Sequence, residues 1–298
     1  MLSLTRSIKA SPAPSTSRSR WGGLRIGQGE TIGRYHSLGL KSDGAIVAWG
    51  SNASGLRNVP SPNTGFIAVA AGGAHSLGLK GDGSIVAWGS NASGLRNVPS
   101  PNTGFIAVAA GSIHSLGLKS DGSIVAWGAN HAGQTNVPAP NTEFIAIAAG
   151  GGHSLGLKSA GSLVAWANDV SGQTDVPAPN TEFIAIAAGS SYSLGLKADG
   201  SVVAWGSNST GQTNVPAPNT EFIAIAAGTF HSLGLKGIPA DFNSDGGVDL
   251  ADLGLLTDLL SGPQTLGPPG FSRLSLDGDP DVDLADVASF QSRFGESW

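Results

Sequence analysis

The sequence predicts an all-β chain, a β-propeller of six blades built from 39-residue repeats, followed by a small α-helical calcium-binding module at the C-terminus. Two observations support the propeller: a segment of the type His-Ser-Leu-Gly-Leu-Lys recurs at a fixed period, and each copy carries the residues of strands and tight turns. A third observation, an abrupt change to acidic composition after the last copy, predicts the separate module. The six copies begin at His36, His75, His114, His153, Tyr192 and His231.

Residues 105–128 show what one repeat contains. A first run, Phe105-Ile-Ala-Val-Ala-Ala-Gly, alternates bulky and small residues, as expected for a strand packed between neighbouring sheets. Two further runs, 114–119 and 123–128, are joined at Asp121-Gly122, the strongest short-range hairpin signal. We expect a two-residue primed turn there, because Gly tolerates a positive φ. Each repeat therefore holds at least three antiparallel strands.

Such a small sheet cannot bury its faces alone, so the copies must stack on one another. Radial stacking gives a propeller, and a triangular β-solenoid is the alternative, which the hairpin turns disfavour. The Trp found once per copy is expected to be a packing anchor between blades, with a stacking platform for a ligand as the alternative. The recurring His, without an acidic residue at fixed spacing, indicates a buried hydrogen-bonding group and no catalytic residue. The Trp positions are Trp49, Trp88, Trp127, Trp166 and Trp205.

The charge distribution predicts the domain boundaries. Residues 1–25 contain five basic residues and no acidic one, whereas residues 237–298 contain eleven acidic residues and two arginines. We predict a disordered basic tail over residues 1–16, propeller repeats over 17–236, a linker over 237–240 and the acidic module over 241–298. The last copy lacks an Ile-Val-Ala-Trp strand, and Arg20-Trp21-Gly22 resembles that strand. Residues 17–23 are therefore predicted to complete the last blade.

Composition excludes several classes of function. The chain has no cysteine, so disulfides and thiolate metal sites are excluded. No apolar run approaches the ~20 residues of a membrane span, and we expect none. The basic tail is short and rich in Ser and Pro, so no nucleic-acid partner is expected. The repeats carry no nucleophile motif, phosphate loop or carboxylate pair, which predicts that the chain is not an enzyme.

The repeat resembles that of the regulator-of-chromosome-condensation family over residues 26–236. The resemblance is carried by Ala-Ala-Gly-x-x-His-Ser-Leu-Gly-Leu-Lys-x-Asp-Gly-x-Ile-Val-Ala-Trp-Gly and by the ending Gly-Gln-Thr-x-Val-Pro, as in residues 133–138. The short period and this ending are most similar to the bacterial branch, which includes the propeller-type β-lactamase inhibitory protein. Family members usually have seven blades, so seven is the alternative to six. The first copy is short, with Gly-Gln-Gly-Glu-Thr-Ile-Gly33 in place of a full apolar strand.

The copies differ most in the two residues before each His, here called the variable pairs. In the inhibitory-protein branch, the loops at this place bind a protein partner. By position, the resemblance implies that Tyr35, Ile113 and Phe230 are apolar anchors of a partner-binding face, and neutral variation of exposed turns is the alternative. Guanine-nucleotide exchange, the activity of eukaryotic relatives, is disfavoured because the copies leave no room for an inserted wedge. The variable pairs are 34–35, 73–74, 112–113, 151–152, 190–191 and 229–230.

The acidic module contains two candidate calcium loops. The first places oxygen ligands at positions 1, 3, 5, 9 and 12 of an EF-hand loop with Gly246 at the turn, and apolar residues at helical spacing follow it. The second has Ser275 at position 1 and Pro280 instead of the turn Gly, so weaker binding is expected. A solvated acidic loop is the alternative. The candidate ligands are Asp241, Asn243, Asp245, Asp249 and Asp252 in the first loop, and Asp277, Asp279, Asp281, Asp283 and Asp286 in the second.

Paired loops that end in Asp, each followed by a helix, are similar to the dockerin family over residues 241–298. This resemblance implies calcium-dependent folding and docking to a cohesin-type partner. We therefore expect a non-catalytic binding or display propeller with a calcium-binding tail, acting outside the cell or at its surface. An accessory subunit of an extracellular polysaccharide-degrading assembly is the second hypothesis. Met1-Leu-Ser-Leu4 is too short to be the apolar core of a secretory signal, which conflicts with that location.

Overall fold

The computed structural model describes residues 2–3 and 30–237, and every structural statement below refers to them. The chain divides into two units, Met1–Leu235 and Lys236–Trp298, and nearly all of the described residues belong to the first. Their strands form six antiparallel sheets, numbered here in chain order. Sheet 1 contains β1 (Leu2–Ser3), β2 (Glu30–Ile32), β3 (His36–Leu40) and β4 (Ile46–Gly50). Sheet 2 contains β5 (Phe66–Ala71), β6 (His75–Lys80) and β7 (Ile85–Gly89); sheet 3 contains β8 (Phe105–Ala110), β9 (His114–Lys119) and β10 (Ile124–Gly128); sheet 4 contains β11 (Phe144–Ala149), β12 (His153–Lys158) and β13 (Leu163–Ala167); sheet 5 contains β14 (Phe183–Ala188), β15 (Tyr192–Lys197) and β16 (Val202–Gly206); and sheet 6 contains β17 (Phe222–Ala227) and β18 (Ser232–Lys236).

Each sheet is a separate meander, as the hairpin signals predict. In sheet 3, β9 pairs with β8 on one side and with β10 on the other, with Ser115 opposite Trp127. Separate antiparallel sheets agree with the propeller interpretation and not with a solenoid. The loops that follow the first two sheets contain short 3-10 helices, Ala53–Gly55 and Ala92–Gly94. Among the described residues, no helix has the length and apolar character needed to cross a membrane.

The hairpin at Asp121-Gly122 forms, but the predicted primed turn is wrong. Gly122 has a φ of +80°, whereas Asp121 is not among the residues with positive φ, and a type I′ turn needs both. The Gly122 N–H instead donates to the Lys119 carbonyl at 3.0 Å, and the Lys119 N–H donates to the Ser123 carbonyl at 2.8 Å. The Asp121 carboxylate accepts the Ser123 N–H at 2.9 Å and so stabilises the loop. The connection is a three-residue loop with the glycine in the left-handed region.

The first strand of sheets 2 to 5 contains a β-bulge that the sequence pattern did not reveal. In sheet 3, Phe105 pairs with Lys119 and Ala107 with Leu118, so Ile106 is the extra residue. The bulge turns this isoleucine outward, and it is 53% exposed. The equivalent isoleucines of the other three sheets are exposed in the same way, namely Ile67, Ile145 and Ile184.

The hydrophobic core lies between successive sheets. Leu77 and Leu79 of sheet 2 pack against Phe105 and Trp127 of sheet 3, and the corresponding residues form the other interfaces. Burial of side chains of this size stabilises by roughly 1.5–3 kcal/mol each. Trp127 is 6% exposed, and its indole N–H donates to the Leu95 carbonyl at 3.0 Å, which confirms the prediction of a packing anchor. Trp49 of sheet 1 differs, since it is 47% exposed.

Sheet 6 contains two strands among the described residues. Its Leu233 and Leu235 are 53% and 46% exposed, whereas the equivalent Leu116 and Leu118 of sheet 3 are fully buried under sheet 4. Residues 17–23, which are predicted to complete the last blade, lie outside the described residues. The predicted basic tail, apart from Leu2–Ser3, and the predicted module over 241–298 also lie outside them. Six blades and a closed ring therefore stay predictions.

Candidate functional site

The variable pairs lie in the turns that enter the middle strand of each sheet, and in sheets 2 to 4 their backbone is held on both sides. In sheet 3, the Ser112 N–H donates to the Gly150 carbonyl of sheet 4 at 3.2 Å, and the Ile113 carbonyl accepts the Ala129 N–H at 2.9 Å. Sheets 2 and 4 contain the equivalent bonds, whereas the Tyr35 carbonyl accepts the Ser51 N–H at 2.8 Å and the Phe230 carbonyl accepts the Thr210 hydroxyl at 3.1 Å. In sheets 2 to 4 the turns are therefore fixed by bonds that do not depend on side-chain identity, and the side chains are what differs between these turns.

The three predicted anchors are exposed. Tyr35 is 56% exposed, Ile113 39% and Phe230 61%. The Arg34 guanidinium lies 5.2 Å from the centroid of the Tyr35 ring, a cation–π contact that orders this side chain on the surface. Exposed aromatic groups held on a rigid backbone are suited to protein recognition.

The three anchors lie in three different sheets. Tyr35 belongs to sheet 1, Ile113 to sheet 3 and Phe230 to sheet 6, while the pairs between them carry small residues. Part of this variation has a packing cause. A Cβ on Gly73 would lie 2.7 Å from the Ser112 carbonyl oxygen, and one on Gly151 would lie 2.4 Å from the Ser190 carbonyl oxygen. Close approach of the next sheet therefore favours glycine at these two positions.

Four of the five recurring histidines form bridges between sheets, as predicted, whereas His231 is exposed and the prediction is wrong for it. The Nε2 atom of each of the four lies within hydrogen-bonding distance of a serine hydroxyl in the next sheet. Sequence reasoning missed these serines, although one follows the His position in every copy. The Nε2–Oγ distances are 2.7 Å for His36 and Ser76, 2.8 Å for His75 and Ser115, 2.9 Å for His114 and Ser154, and 3.0 Å for His153 and Ser193.

The serine partners determine which nitrogen carries the proton. Ser154 donates its hydroxyl to the Gln134 carbonyl at 3.1 Å, so the Nε2–H of His114 must donate to Ser154. The Nδ1 atom is then the unprotonated nitrogen, and it is buried without a hydrogen-bond partner in the described residues. Protonation of Nδ1 would place an uncompensated charge in the core.

Burial accordingly keeps these histidines neutral. Desolvation lowers the pKa of His75 to about 4, of His114 to about 3 and of His153 to about 4, and it lowers the pKa of His36 as well. A group with such a pKa takes up a proton too weakly to serve as an acid–base catalyst near neutral pH.

Tyr192 occupies the histidine position of sheet 5 and also bridges to the next sheet. Its hydroxyl donates to the backbone carbonyl of His231, in place of a serine hydroxyl. A side chain of different chemistry thus makes the same connection between sheets. This exchange supports a structural role for the whole series.

The described residues contain no group of three or more His, Asp or Glu side chains that could hold a metal ion. The candidate calcium ligands of both loops lie outside the described residues, so their geometry stays a prediction.

Comparison with known families identifies the repeat. The family model described as "Regulator of chromosome condensation (RCC1) repeat" matches residues 31–56, 66–95, 105–134 and 183–212. These segments fall in sheets 1, 2, 3 and 5. Sheet 4 has the same strands and the same inter-sheet contacts as its matched neighbours. No curated protein matches the chain.

Solved structures with the same arrangement include plant and yeast proteins. The ectodomain of the Physcomitrella patens receptor kinase CR4 is 26% identical with a TM-score of 0.59, and the match covers 70% of this chain and 58% of that one. The CRINKLY WD40 ectodomain of the Arabidopsis thaliana receptor kinase ACR4 is 27% identical with a TM-score of 0.56, covering 70% and 74%. Yeast RCC1 (Prp20), solved bound to Kap60, is 20% identical with a TM-score of 0.58, covering 70% and 67%.

The fold of the described sheets is therefore that of RCC1-like propellers. The 39-residue period and the tryptophan of the third strand recur in each of the matched segments. Four segments of this chain match the model of the regulator of chromosome condensation (RCC1) repeat, and its sheets are similar to those of the solved propellers named above.

Proposed function

We propose that this chain is a non-catalytic protein-binding or display protein that presents its variable pairs to a protein partner. The observation that carries the proposal is a contrast at two of these turns. The Tyr35 carbonyl accepts the Ser51 N–H at 2.8 Å and the Phe230 carbonyl accepts the Thr210 hydroxyl at 3.1 Å, while the two side chains are 56% and 61% exposed. Four of the five recurring histidines, which would be the first candidates for catalysis, are engaged between sheets. That yeast RCC1 was solved in complex with Kap60 supports protein binding as a use of this fold.

Quantitative affinity capture with the full chain tests this proposal. Tyr35→Ala and Phe230→Ala, alone and combined, are expected to reduce recovery of partners that the unmodified chain retains, since apolar anchors dominate interface energies. Val170→Ala, at a residue that is 90% exposed and outside the variable pairs, is the control. Identical partner profiles for all variants would contradict the proposal.

We further propose that residues 241–298 form a dockerin-like, calcium-dependent docking tail. The proposal rests on the spacing of oxygen donors in the first loop, with Asp241 and Asp252 at its ends and Gly246 at the turn. A dissociation constant of ~10⁻⁴ M would stabilise the tail by roughly 1.8 kcal/mol at ~2 mM calcium. Such a tail suits an extracellular or cell-surface setting and a cohesin-type partner.

Calorimetric titration with calcium tests the tail. Heat of binding with at least one site, abolished by Asp241→Ala together with Asp249→Ala, is the expected result. The corresponding double variant of the second loop, Asp277→Ala with Asp283→Ala, is expected to have the smaller effect, because Ser275 and Pro280 weaken that loop. Absence of calcium-linked heat would remove the dockerin-like assignment and leave the variable-pair proposal standing.

A second candidate function is that of an accessory subunit recruited by its tail to an extracellular polysaccharide-degrading assembly. The dockerin-like spacing favours it, and recovery of cohesin-bearing proteins only in the presence of calcium would support it over a stand-alone binding protein. The spacing and the Gly-Gln-Thr-x-Val-Pro ending favour kinship with the bacterial branch of the family. Guanine-nucleotide exchange is the least favoured alternative, because the 39-residue copies leave no room for an inserted wedge.

A further inference from the structure

Three exposed arginines, here called the arginine set, distinguish sheets 1 and 2 from the other sheets. Arg34 is the first residue of the variable pair of sheet 1, and Arg57 and Arg96 lie in the loops that follow the last strands of sheets 1 and 2. All three residues are exposed. Their positive charge contrasts with the chain as a whole, which has a formal net charge of −5.

The arginine set lies at the end of the sheets that carries the variable pairs. In sheet 1, the Ser51 N–H donates to the Tyr35 carbonyl at 2.8 Å, so the loop after β4 begins against the variable pair. The Arg57 N–H donates to the Asn52 side-chain oxygen at 2.8 Å, which brings Arg57 back to the start of that loop. Each of these two loops is thereby held beside the variable pair of its own sheet. Sheet 2 repeats both bonds at the same distance, from Ser90 to Ala74 and from Arg96 to Asn91.

The part of sheets 1 and 2 that the structure describes has no acidic residue at the end where these arginines lie. Asp43 and Asp82 lie in the hairpin loops at the opposite end, and Glu30 pairs with the part of β3 that enters the first hairpin. Each of the two hairpins also has a lysine, Lys41 or Lys80. Charges of both signs therefore occur at the hairpin end, whereas the variable-pair end of these two sheets is basic.

The guanidiniums of the arginine set are not engaged by carboxylates of this chain. The Arg34 guanidinium lies 5.2 Å from the centroid of the Tyr35 ring. Among the described residues, Arg57 and Arg96 have no side-chain hydrogen bond or ion pair, and only their backbone N–H groups are bonded. A guanidinium presents its N–H groups as a planar fork that matches a carboxylate. The set therefore offers three such forks to an external acidic group.

The fold does not require arginine at these loop positions. The equivalent residues of sheets 3, 4 and 5 are threonines, whose N–H groups make the same bond to a side-chain oxygen at the start of the loop. Sheet 4 carries Asp169 and Asp175 where the other loops carry asparagine, so the basic character does not extend to it. The arginines thus contribute surface charge and not loop geometry. The N–H to oxygen distances are 3.1 Å from Thr135 to Asn130, 2.8 Å from Thr174 to Asp169 and 3.0 Å from Thr213 to Asn208.

We propose that the arginine set binds an acidic segment of the protein partner that contacts Tyr35. This inference rests on the proposed function and names the chemistry of the partner. Carboxylates of the segment pair with the guanidiniums through charge-assisted hydrogen bonds, and complementary charge orients the segment over sheets 1 and 2, away from Asp169 and Asp175. A protein segment is favoured over a nucleic acid, because three cations supply few of the phosphate contacts from which nucleic-acid affinity arises.

Fluorescence anisotropy of a labelled acidic peptide tests the site on the full chain. The probe is a peptide of about eight glutamates, and the matched control peptide has glutamine at every position. The Glu peptide is expected to bind at least about tenfold more tightly than the Gln peptide, because only carboxylates pair with the guanidiniums. Its binding is expected to weaken when the salt concentration rises from about 50 mM to about 500 mM, since salt screens exposed charges.

Protein variants locate the binding with residues that the fold already uses. Arg57→Thr combined with Arg96→Thr is expected to weaken binding of the Glu peptide at least about threefold, with an unchanged urea midpoint because threonine is native in the equivalent loops. Lys41→Gln combined with Lys80→Gln removes the same charge at the hairpin end and is the matched control, for which unchanged binding is expected. Thr135→Arg, which adds an arginine to the loop of sheet 3, is expected to strengthen binding by about twofold.

Selective binding of the Glu peptide that weakens in the arginine variant and not in the lysine variant would support the proposal. Equal binding, or no binding, of the Glu and Gln peptides would overturn it, and so would equal losses in the two double variants. Tighter binding of a labelled oligothymidylate of matched charge, weakened by the same arginine substitutions, would assign the set to a nucleic acid instead.

The acidic segment over residues 241–298 is the alternative occupant within the chain itself. Binding of the Glu peptide that appears only after the candidate calcium ligands are replaced by asparagine would assign the arginines to this segment and overturn the proposal. Failure of the variable-pair proposal appears in the capture assay with Tyr35→Ala and Phe230→Ala, whereas failure of this one appears in peptide anisotropy. The two failures are therefore distinguishable.

Discussion

The row of buried histidines predicts a loss of stability in mild acid. His75, His114 and His153 have pKa values of about 4, 3 and 4 in the folded chain, because burial opposes protonation. In the unfolded chain each returns to a pKa of about 6.5. Between these values the unfolded state binds more protons than the folded state, so the free energy of unfolding falls as pH decreases from 6.5 toward 4. His36, whose pKa is also lowered by burial, acts in the same direction.

The size of the loss follows from these pKa values. At pH 5 each of the three histidines favours unfolding by about 2 kcal/mol, since one pH unit below the unfolded pKa corresponds to about 1.4 kcal/mol. Together they lower the free energy of unfolding by about 6 kcal/mol between pH 7 and pH 5. The carboxylates contribute little over this interval, because their ordinary pKa values lie near 4.

Urea titration at pH 7, 6 and 5, followed by tryptophan fluorescence, measures this loss. His114→Gln keeps an N–H donor for Ser154 and removes the titrating group, so the loss between pH 7 and pH 5 is expected to shrink by about 2 kcal/mol. His131→Gln is the matched control, because that side chain lies on an exposed loop and makes no inter-sheet bridge. A loss below about 1 kcal/mol in the unmodified chain, or an undiminished loss in His114→Gln, would refute the reasoning.

Three further predictions concern single contacts between sheets. Gly111→Ala should lower the free energy of unfolding by about 2 kcal/mol, because the new Cβ would lie 2.4 Å from the His114 ring and 2.7 Å from the Gly150 carbonyl oxygen. Gly81→Ala is the control and should change the urea midpoint little, since the nearest atom to its new Cβ lies at 3.7 Å. Trp127→Phe should lower the free energy of unfolding by about 1–3 kcal/mol in the same assay, because the indole bond to the Leu95 carbonyl is lost. Trp49→Phe is the control and should be nearly neutral, since Trp49 is 47% exposed. Equal effects of the two substitutions would contradict a stabilising role of the buried indole bond. Tyr192→Phe should cost about 1–2 kcal/mol by removing the donor to the His231 carbonyl, and an unchanged melting temperature would show that this bridge contributes nothing.

The architecture could be predicted from the sequence because the repeat places the same local signals in one copy after another. Gly122 and its four equivalents each mark a hairpin, and the apolar run at Phe105 and its four equivalents each mark the first strand of a sheet. The turn type could not be predicted in the same way, since it depends on whether Asp121 also adopts a positive φ, and Asp-Gly is compatible with both turns. The bulge at Ile106 was missed because the run is apolar throughout, so no alternation of polar and apolar residues reveals one unpaired residue.

The candidate site was predictable only in part. The bridging role of His114 followed from its recurrence, but its partner Ser154 lies 40 residues away and is defined by how neighbouring sheets stack. Exposure of Tyr35 and Phe230 agrees with their selection as variable residues. Glycine at Gly73 and Gly151, in contrast, follows from contact with the next sheet, which the sequence of one repeat does not show. Sequence differences between copies therefore combine surface variation with packing constraints.

Protein binding through the variable pairs is the central claim, and a comparison of captured partners tests it most directly. Quantitative affinity capture in calcium would compare three proteins: the unmodified chain, the control Val170→Ala, and one variant that combines Tyr35→Ala, Ile113→Ala and Phe230→Ala. Direct binding measurements with the recovered partner would follow. The account predicts that the purified partner binds the unmodified chain and the control equally and the combined variant at least about tenfold more weakly. Equal affinity for all three proteins would contradict it.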